Sequence, residues 1–446
     1  MTNVWPESGL TRDELRSHFD AAEAEELDYL GRLASGTVYD AGTDVLEVAK
    51  EAYLRFFSTN ALYAGTFPGI ARFEQEIVAR TAELFHGPDA VGSVTSGGSE
   101  SILMAVKSAR DRARLRHPHI DRPKIVVPVS AHPAFWKGAH YFGLEVIKTP
   151  LDANHELDLE AYLAAVTDDT VLMVGSAPSL TLGMVDPIPQ MAAVAAERDI
   201  NFHVDSCVGG FFLPFAERLG ESFPTFDFRV EGVTTISADL HKFGYAAKGA
   251  STLTSRDSSI FQHQEFRFGA PERTPDWYVT PSMTGTRPGA AIAAAWAVMS
   301  YLGEEGYLRV VGESLEHIRR FQSGIDAIDG LQVLGRPAMT LFAYGSDELD
   351  IFAVAEGLTE RGWLVSRDTW PQPAIRFMQS LGHAPRFDPY LADLRAVVAQ
   401  VREGEIVSVG GRADYNRGAC RWHAWPHRRT WHACADRRVA GASRPR

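Results

Sequence analysis

Cysteine is scarce in this 446-residue sequence. Cys207, Cys420 and Cys434 are the whole supply, too few for a disulfide framework, and a reducing, cytoplasmic setting is the simplest inference. No uninterrupted run of about 20 apolar residues is present that could cross a bilayer. The first residues, Met1-Thr2-Asn3-Val4-Trp5-Pro6-Glu7, lead into an acidic, helix-like stretch rather than a basic-then-apolar leader. The expectation is a soluble chain with no transmembrane segment. Positive charge is in deficit: 44 lysines and arginines face 57 acids, for a formal net charge of -13. That argues against nucleic acid as a partner, because a phosphate backbone is bound by clustered cations. Internal repeats and low-complexity linkers are also missing.

What is present is a 45% hydrophobic content, enough to bury the cores of two or three domains. Apolar periodicity predicts helices over 70–84, 187–198 and 288–302. It predicts strands over 124–129, 144–149, 170–175, 200–205 and 232–237. Strand and helix in alternation indicate an α/β fold, a mostly parallel sheet with helices on both faces. Ligands then sit beyond the carboxyl ends of the strands. After 302, strands at 331–334 and 339–344, a helix over 351–361 and a strand at 363–366 read as a smaller α+β unit. Residues 1–60 read as mostly helical, with Leu46, Ala49, Tyr53, Leu54 and Phe57 at helical spacing as a core or interface stripe.

The chemistry concentrates in Ser237-Ala238-Asp239-Leu240-His241-Lys242-Phe243-Gly244. An amine at the mouth of a buried strand is expected to lose its proton more easily than a solvated lysine, and then to condense with an aldehyde. Taken alone, a His-Lys pair marks a strand end. Its company says more. Ile200-Asn201-Phe202-His203-Val204-Asp205 is an alternating strand ending on a carboxylate, which could hold a pyridine nitrogen protonated and so favour a carbanion on a bound substrate. Thr95-Ser96-Gly97-Gly98-Ser99-Glu100 opens a helix, and backbone N–H groups at such a start suit a phosphate, although an ordinary helix cap reads the same way. His132 follows the strand at 124–129, where an imidazole can lie over a flat ring.

The order of phosphate turn, ring histidine, ring-nitrogen aspartate and His-Lys resembles the group II pyridoxal-phosphate-dependent decarboxylases, and within them the sphingosine-1-phosphate lyase branch of soluble bacterial type. Further matching stretches are Ala139-His140-Tyr141-Phe142-Gly143, Phe226-Asp227-Phe228-Arg229-Val230 and Gly285-Thr286-Arg287-Pro288-Gly289, so the likeness runs from about residue 36 to about residue 403. It implies pyridoxal 5'-phosphate as cofactor and a fold of type I among such enzymes. It also implies a homodimer with shared active sites and a cytoplasmic enzyme acting on a small-molecule amine. In this resemblance Lys242, His132 and Asp205 are catalytic. Gly97, Gly98, Ser99, His132, Asp205, His241, Lys242 and Thr286 bind the cofactor, Thr286 from the other subunit. Tyr39, Tyr63 and Lys248 face the substrate, and no metal is expected. Tyr63 departs from the pattern: it stands where the lyases carry a histidine, and a neutral phenol supplies one hydrogen bond but no imidazolium charge.

The expected division is an N-terminal helical segment over 1–60, a large cofactor domain over 61–302, a small α+β domain over 303–404 and an atypical tail over 405–446. Residues 411–446 hold nine arginines, no lysine and only Asp414 and Asp436 as acids. Cys420, His423, His427, His432 and Cys434 have a superficially zinc-like spacing. The tail nevertheless has neither helical nor strand period, as a poorly ordered or frame-shifted terminus would read. Three functions remain open: a carbon–carbon lyase on a phosphorylated amino alcohol, which the resemblance favours; an amino-acid decarboxylase; and a binding protein that has kept the fold without the chemistry.

Overall fold

The computed structural model describes residues 8–270, 272 and 277–408. The zinc-like tail sequence lies outside these. Among the described residues no group of three or more histidines, cysteines or acids is placed to hold a metal, and no helix is long and apolar enough to cross a membrane.

The chain opens with α1 (Arg12–Glu25), α2 (Thr43–Arg55) and α3 (Pro68–Leu84). It then alternates through β1 (Val91–Thr95), α4 (Gly98–Arg116), β2 (Lys124–Pro128), α5 (Ala134–Phe142), β3 (Glu145–Thr149), α6 (Leu159–Ala164), β4 (Thr170–Ser176), α7 (Ile188–Glu197) and β5 (Asn201–Asp205). After α8 (Leu213–Arg218) come β6 (Val233–Ala238), β7 (Ser251–Ser255), α9 (Ser258–Phe261) and the hairpin β8 (Phe266–Phe268) and β9 (Tyr278–Thr280). The long α10 (Gly289–Asp326) follows. Then come β10 (Gln332–Val333), β11 (Leu341–Gly345), α11 (Ile351–Glu360), β12 (Ser366–Asp368), β13 (Ala374–Met378) and α12 (Phe387–Arg402).

Seven strands form one sheet in the order β1-β7-β6-β5-β4-β2-β3. Pairings among β3, β2, β4, β5 and β6 are parallel, and β7 runs antiparallel to both its neighbours. Side-chain alternation divides the two faces. Ile125 and Val127 join the layer of α4 and α5, while Val126, Phe202 and Val204 join α7 and α8 opposite. His203 meets Phe135 of α5 edge-on at 5.8 Å, so Asp205, two residues on, leaves the sheet on the α4 side. Covered on both faces, this is the α/β architecture that the strand rhythm implies, and it is of type I, as the resemblance implies.

The second sheet, β10-β11-β13-β12, is wholly antiparallel. Its core joins Phe342, Tyr344 and Phe377 to Ile318, Phe321 and Ile325 of α10. Several sequence expectations need correction. Among the described residues 8–60 there are two helices separated by a long turn-rich stretch, and α1 buries none of its residues. The stripe on α2 is divided: Ala49 is buried, whereas Leu46, Leu54 and Phe57 are exposed. The helix expected over 288–302 does end there, at the non-helical Gly303 (φ 55°), and a second helical run carries α10 on to Asp326. The strand expected over 363–366 is β12 at Ser366–Asp368, because Trp363 still donates to Leu358 O at 3.1 Å and closes the end of α11.

Candidate active site

Lys242 lies in the turn after β6, with its side chain about one-fifth exposed (21%). Its Nζ stands 2.9 Å from Oδ2 of Asp239, a carboxylate with only 1% of its side chain exposed. Burial alone would push the lysine pKa down, but the Asp239 charge outweighs it and the amine is held above the ordinary lysine range. The expectation of an easily deprotonated amine is therefore overturned for the cofactor-free site: the ammonium is the favoured state. Burial opposes the Asp239 charge as well, yet Lys242 and His241 keep its carboxyl below the usual value. Sequence reasoning missed Asp239. The available signal was its place three residues before the lysine, which a tight turn brings within ion-pair reach.

The glycine turn forms the roof. Gly97 precedes α4 without any side-chain cap, so first-turn amides stay available to an anion. A Cβ on Gly98 would fall 2.7 Å from Cys207 Sγ and 2.8 Å from both Asp239 oxygens, and one on Gly97 would fall 3.2 Å from His241 Cε1. Hydroxyls of Thr95, Ser101 and Ser251 link the turn to β7 at 2.7 and 2.9 Å. His241 accepts from Gly249 N–H and Ala250 N–H through Nδ1 at 3.3 and 3.2 Å. Burial lowers its pKa to about 4, against the opposing Asp239 charge. His132, its Nδ1 accepting from Ala134 N–H at 3.1 Å, is likewise pushed down by burial, with Asp205 opposing and Lys242 assisting. Asp205 is buried at the end of β5, its Oδ1 accepting from Cys207 N–H at 3.1 Å.

Two cavities meet at Lys242 and His132. The inner one, about 380 Å³, is lined by Gly97, Gly98, Ser99, Asp239, His241 and Cys207. The outer, about 800 Å³, has Tyr39, Leu180, Glu356, Arg367, Arg376 and Met378 in its wall. Lys248 Nζ sits 4.8 Å over the Tyr39 ring, and burial with the Lys242 charge lowers its pKa to about 8. Thus Lys242, His132, Gly97, Gly98, Ser99 and His241 converge, with Asp205 close behind, Tyr39 in the outer wall and Lys248 over the Tyr39 ring. Tyr63, 57% exposed, and Thr286, whose Oγ1 accepts from Asn60 Nδ2 at 3.2 Å, do not line these cavities of their own chain. Arg367 and Arg376 were not anticipated. They come from β12 and β13, held to Glu356 and Asp368 at 2.9 and 2.8 Å.

The conserved domain of pyridoxal-dependent decarboxylases matches residues 35–344. The chain belongs to the pyridoxal-dependent decarboxylase family. A sphingosine-1-phosphate lyase of Oryza sativa subsp. japonica is 38% identical over 417 residues, 92% of this chain and 76% of that one. The solved structure of a Burkholderia pseudomallei K96243 sphingosine-1-phosphate lyase has a TM-score of 0.85 at 37% identity, covering 91% of this chain and 94% of that one. This family member is a pyridoxal-phosphate-dependent enzyme of lyase type, closely resembling sphingosine-1-phosphate lyase. Its residues fit the cofactor: an uncapped glycine turn for the phosphate, whose Gly98 leaves no room for a Cβ and Gly97 little, and a lysine one-fifth exposed beside it.

Proposed function

We propose that the enzyme cleaves the Cα–Cβ bond of a phosphorylated amino alcohol in the retro-aldol sense, giving an aldehyde and phosphoethanolamine. The supporting observation is the second cavity, which opens from Lys242 with the Lys248 ammonium over Tyr39 and two buried arginines in its wall. The arginines are paired with Glu356 and Asp368, which leaves the Lys248 ammonium to meet an anion on the substrate beyond the one that the glycine turn takes.

Pyridoxal phosphate, when bound, supplies an aldehyde for the substrate amine and an electron-withdrawing ring. Gly97, Gly98, Ser99 and His241 would hold its phosphate, His132 would cover its ring, and Asp205 would keep its ring nitrogen protonated. Lys242 Nζ would anchor it and afterwards move a proton. Released as the neutral amine, Lys242 would take the β-hydroxyl proton as the aldehyde forms, and Asp239 beside it would hold the resulting ammonium, able to return that proton to carbon. With a phenol at Tyr63, charge recognition of the substrate phosphate falls to Lys248, and Tyr39, whose hydroxyl donates to Met378 Sδ at 2.7 Å, would turn that proton to the substrate. Which bond breaks follows from which substituent the pocket sets perpendicular to the ring.

A second copy of the chain would complete the site. Exposed Tyr63, Trp277, Met283 and Thr286 support a homodimer in which Thr286 reaches the partner's cofactor phosphate. A cytoplasmic location accords with the low cysteine content.

The test is product identification with sphingosine phosphate and shorter phosphorylated amino alcohols. Long-chain aldehyde and phosphoethanolamine are expected from wild type. Lys242→Ala should lose both turnover and the visible absorbance of lysine-bound cofactor. Carbon dioxide and an amine from an amino-acid panel, with no aldehyde from the phosphorylated amino alcohols, would show a decarboxylase instead.

A further inference from the structure

Glu100 is an unexpected neighbour for a phosphate. Its carboxylate is 7% exposed, sits in the first turn of α4 and lines the inner cavity. Both oxygens are engaged by backbone amides. Oε2 accepts from Ser96 N–H at 2.6 Å, and Oε1 accepts from Met283 N–H at 2.7 Å. The first amide belongs to the phosphate turn. The second belongs to the segment that carries Thr286.

That segment is fixed at its other end too. The Arg287 guanidinium, 9% exposed, pairs with Glu74 and donates to Val94 O at 3.0 Å, while Glu74 accepts from Val94 N–H at 3.0 Å. Ala61 N–H donates to Arg287 O at 3.0 Å, and Asn60 holds Thr286. Between these pins, the hydroxyls of Thr280 and Ser282 both donate to Thr284 O, at 3.2 and 2.7 Å. Residues 280–287 therefore form a strap sewn to β1 and α4, with Thr286 on its outer side.

We propose that Glu100 is a positioning residue that couples the phosphate turn of its own subunit to the strap serving the other subunit. The inference rests on the placement of Thr286 against the partner's cofactor given above. A phosphate bound at residues 96–99 fixes the Ser96 amide. Ser96 then fixes Glu100, and Glu100 fixes Met283. The pins are made before any phosphate binds, and a bound phosphate narrows their motion, so the partner's phosphate meets a stiffer strap and binds at a smaller ordering cost. Two-fold symmetry makes the effect reciprocal.

The experiment titrates cofactor-stripped, full-length dimer with pyridoxal phosphate, following absorbance, with subunit association measured by analytical ultracentrifugation. Wild type is expected to load with a Hill coefficient above 1. In Glu100→Gln one acceptor oxygen becomes a donor that cannot receive an N–H, so affinity should fall about tenfold and the Hill coefficient to 1. Asn60→Ala loosens the strap while leaving Glu100 and the turn intact, and should also bring the Hill coefficient to 1. It carries the test if Glu100→Gln fails to fold. Wild-type affinity and cooperativity in both variants, or non-cooperative loading by wild type, overturn the coupling. If Thr286→Val weakens loading while the Glu100 and Asn60 variants are silent, the contact between subunits survives and the Glu100 role alone is lost. If Thr286→Val is silent, the contact between subunits fails, and the coupling with it.

Discussion

Replacing Gly98 by alanine should damage the cofactor site through two identifiable collisions. The added methyl would lie 2.7 Å from Cys207 Sγ and 2.8 Å from each Asp239 oxygen, short of an ordinary contact of 3.5–4.0 Å by roughly 0.8 Å. Neither neighbour yields easily. Cys207 is buried with its thiol donating to Ser237 Oγ at 3.2 Å, and Asp239 is tied to Lys242. Overpacking of a rigid site costs about 1–3 kcal/mol. The alternative is for the start of α4 to lift away from the position that suits a phosphate. Urea unfolding should register the lost stability, and absorbance titration should show weaker binding of pyridoxal phosphate, by about tenfold or more. Trimming the sulfur tests the cause: Gly98→Ala/Cys207→Ala should recover part of both losses, because one collision is gone and the Asp239 collision stays. Wild-type stability and affinity in Gly98→Ala, or strict additivity of the two changes, would refute the steric argument.

Lys248, with a pKa of about 8, loses its charge as pH rises through that value. The KM for a phosphorylated substrate should therefore climb above about pH 8, and Lys248→Met should raise KM at neutral pH and abolish the climb. A wild-type KM flat from pH 7 to 9.5 would count against this role. His203, fully buried between Thr235 Oγ1 at 2.8 Å and Ser237 Oγ at 3.2 Å, has its pKa lowered by burial to about 4. The unfolded chain takes up this proton near pH 6.5, so the contribution is present above that value and lost as pH falls toward 4. The loss is on the order of 3 kcal/mol. Urea midpoints between pH 7 and 4.5 should show it, and His203→Gln should have a shallower acid slope; an unchanged slope would refute the assignment. Asp239→Asn leaves the partly buried Lys242 ammonium without its carboxylate and should cost on the order of 2 kcal/mol at pH 7, read in the same unfolding assay. A loss under 0.5 kcal/mol would show that the pair is solvated.

The parallel strands were legible because both faces are covered and their residues form apolar, β-branched runs. β7 was not. Its Ser-Thr-Leu-Thr-Ser sequence is polar yet wholly buried, and it survives there because its hydroxyls return to the β6 backbone. Ser251 and Thr252 donate to Ala238 O and Thr254 to Ile236 O, at 3.1–3.2 Å. At the site, motif order was enough to bring Lys242, His132, Gly97 and His241 together. Glu100 and Arg376 were invisible because each acts between separate elements, and Asp239 was passed over because a carboxylate three residues from a lysine carries a turn's signal and no periodic one. The Trp363 strand was misplaced because a helix-ending turn with Gly362 at positive φ reads locally like the start of an extended run.

α10 begins against α2 and α3 and ends by lending Ile318, Phe321 and Ile325 to the smaller core. The two lobes are thus threaded on one rod, and because Tyr307, Val310, Val311 and Leu315 beyond the bend at Gly303 still pack in the larger core, the natural fulcrum falls between Leu315 and Ile318. Any tilt of the lesser lobe about that point would carry Arg367 and Arg376 together, as a jaw, toward or away from the amine at the floor of the cleft. Cutting the chain at the bend would leave the smaller lobe attached to the helix half that fills its interior, whereas a cut at residue 326 would strip that interior away.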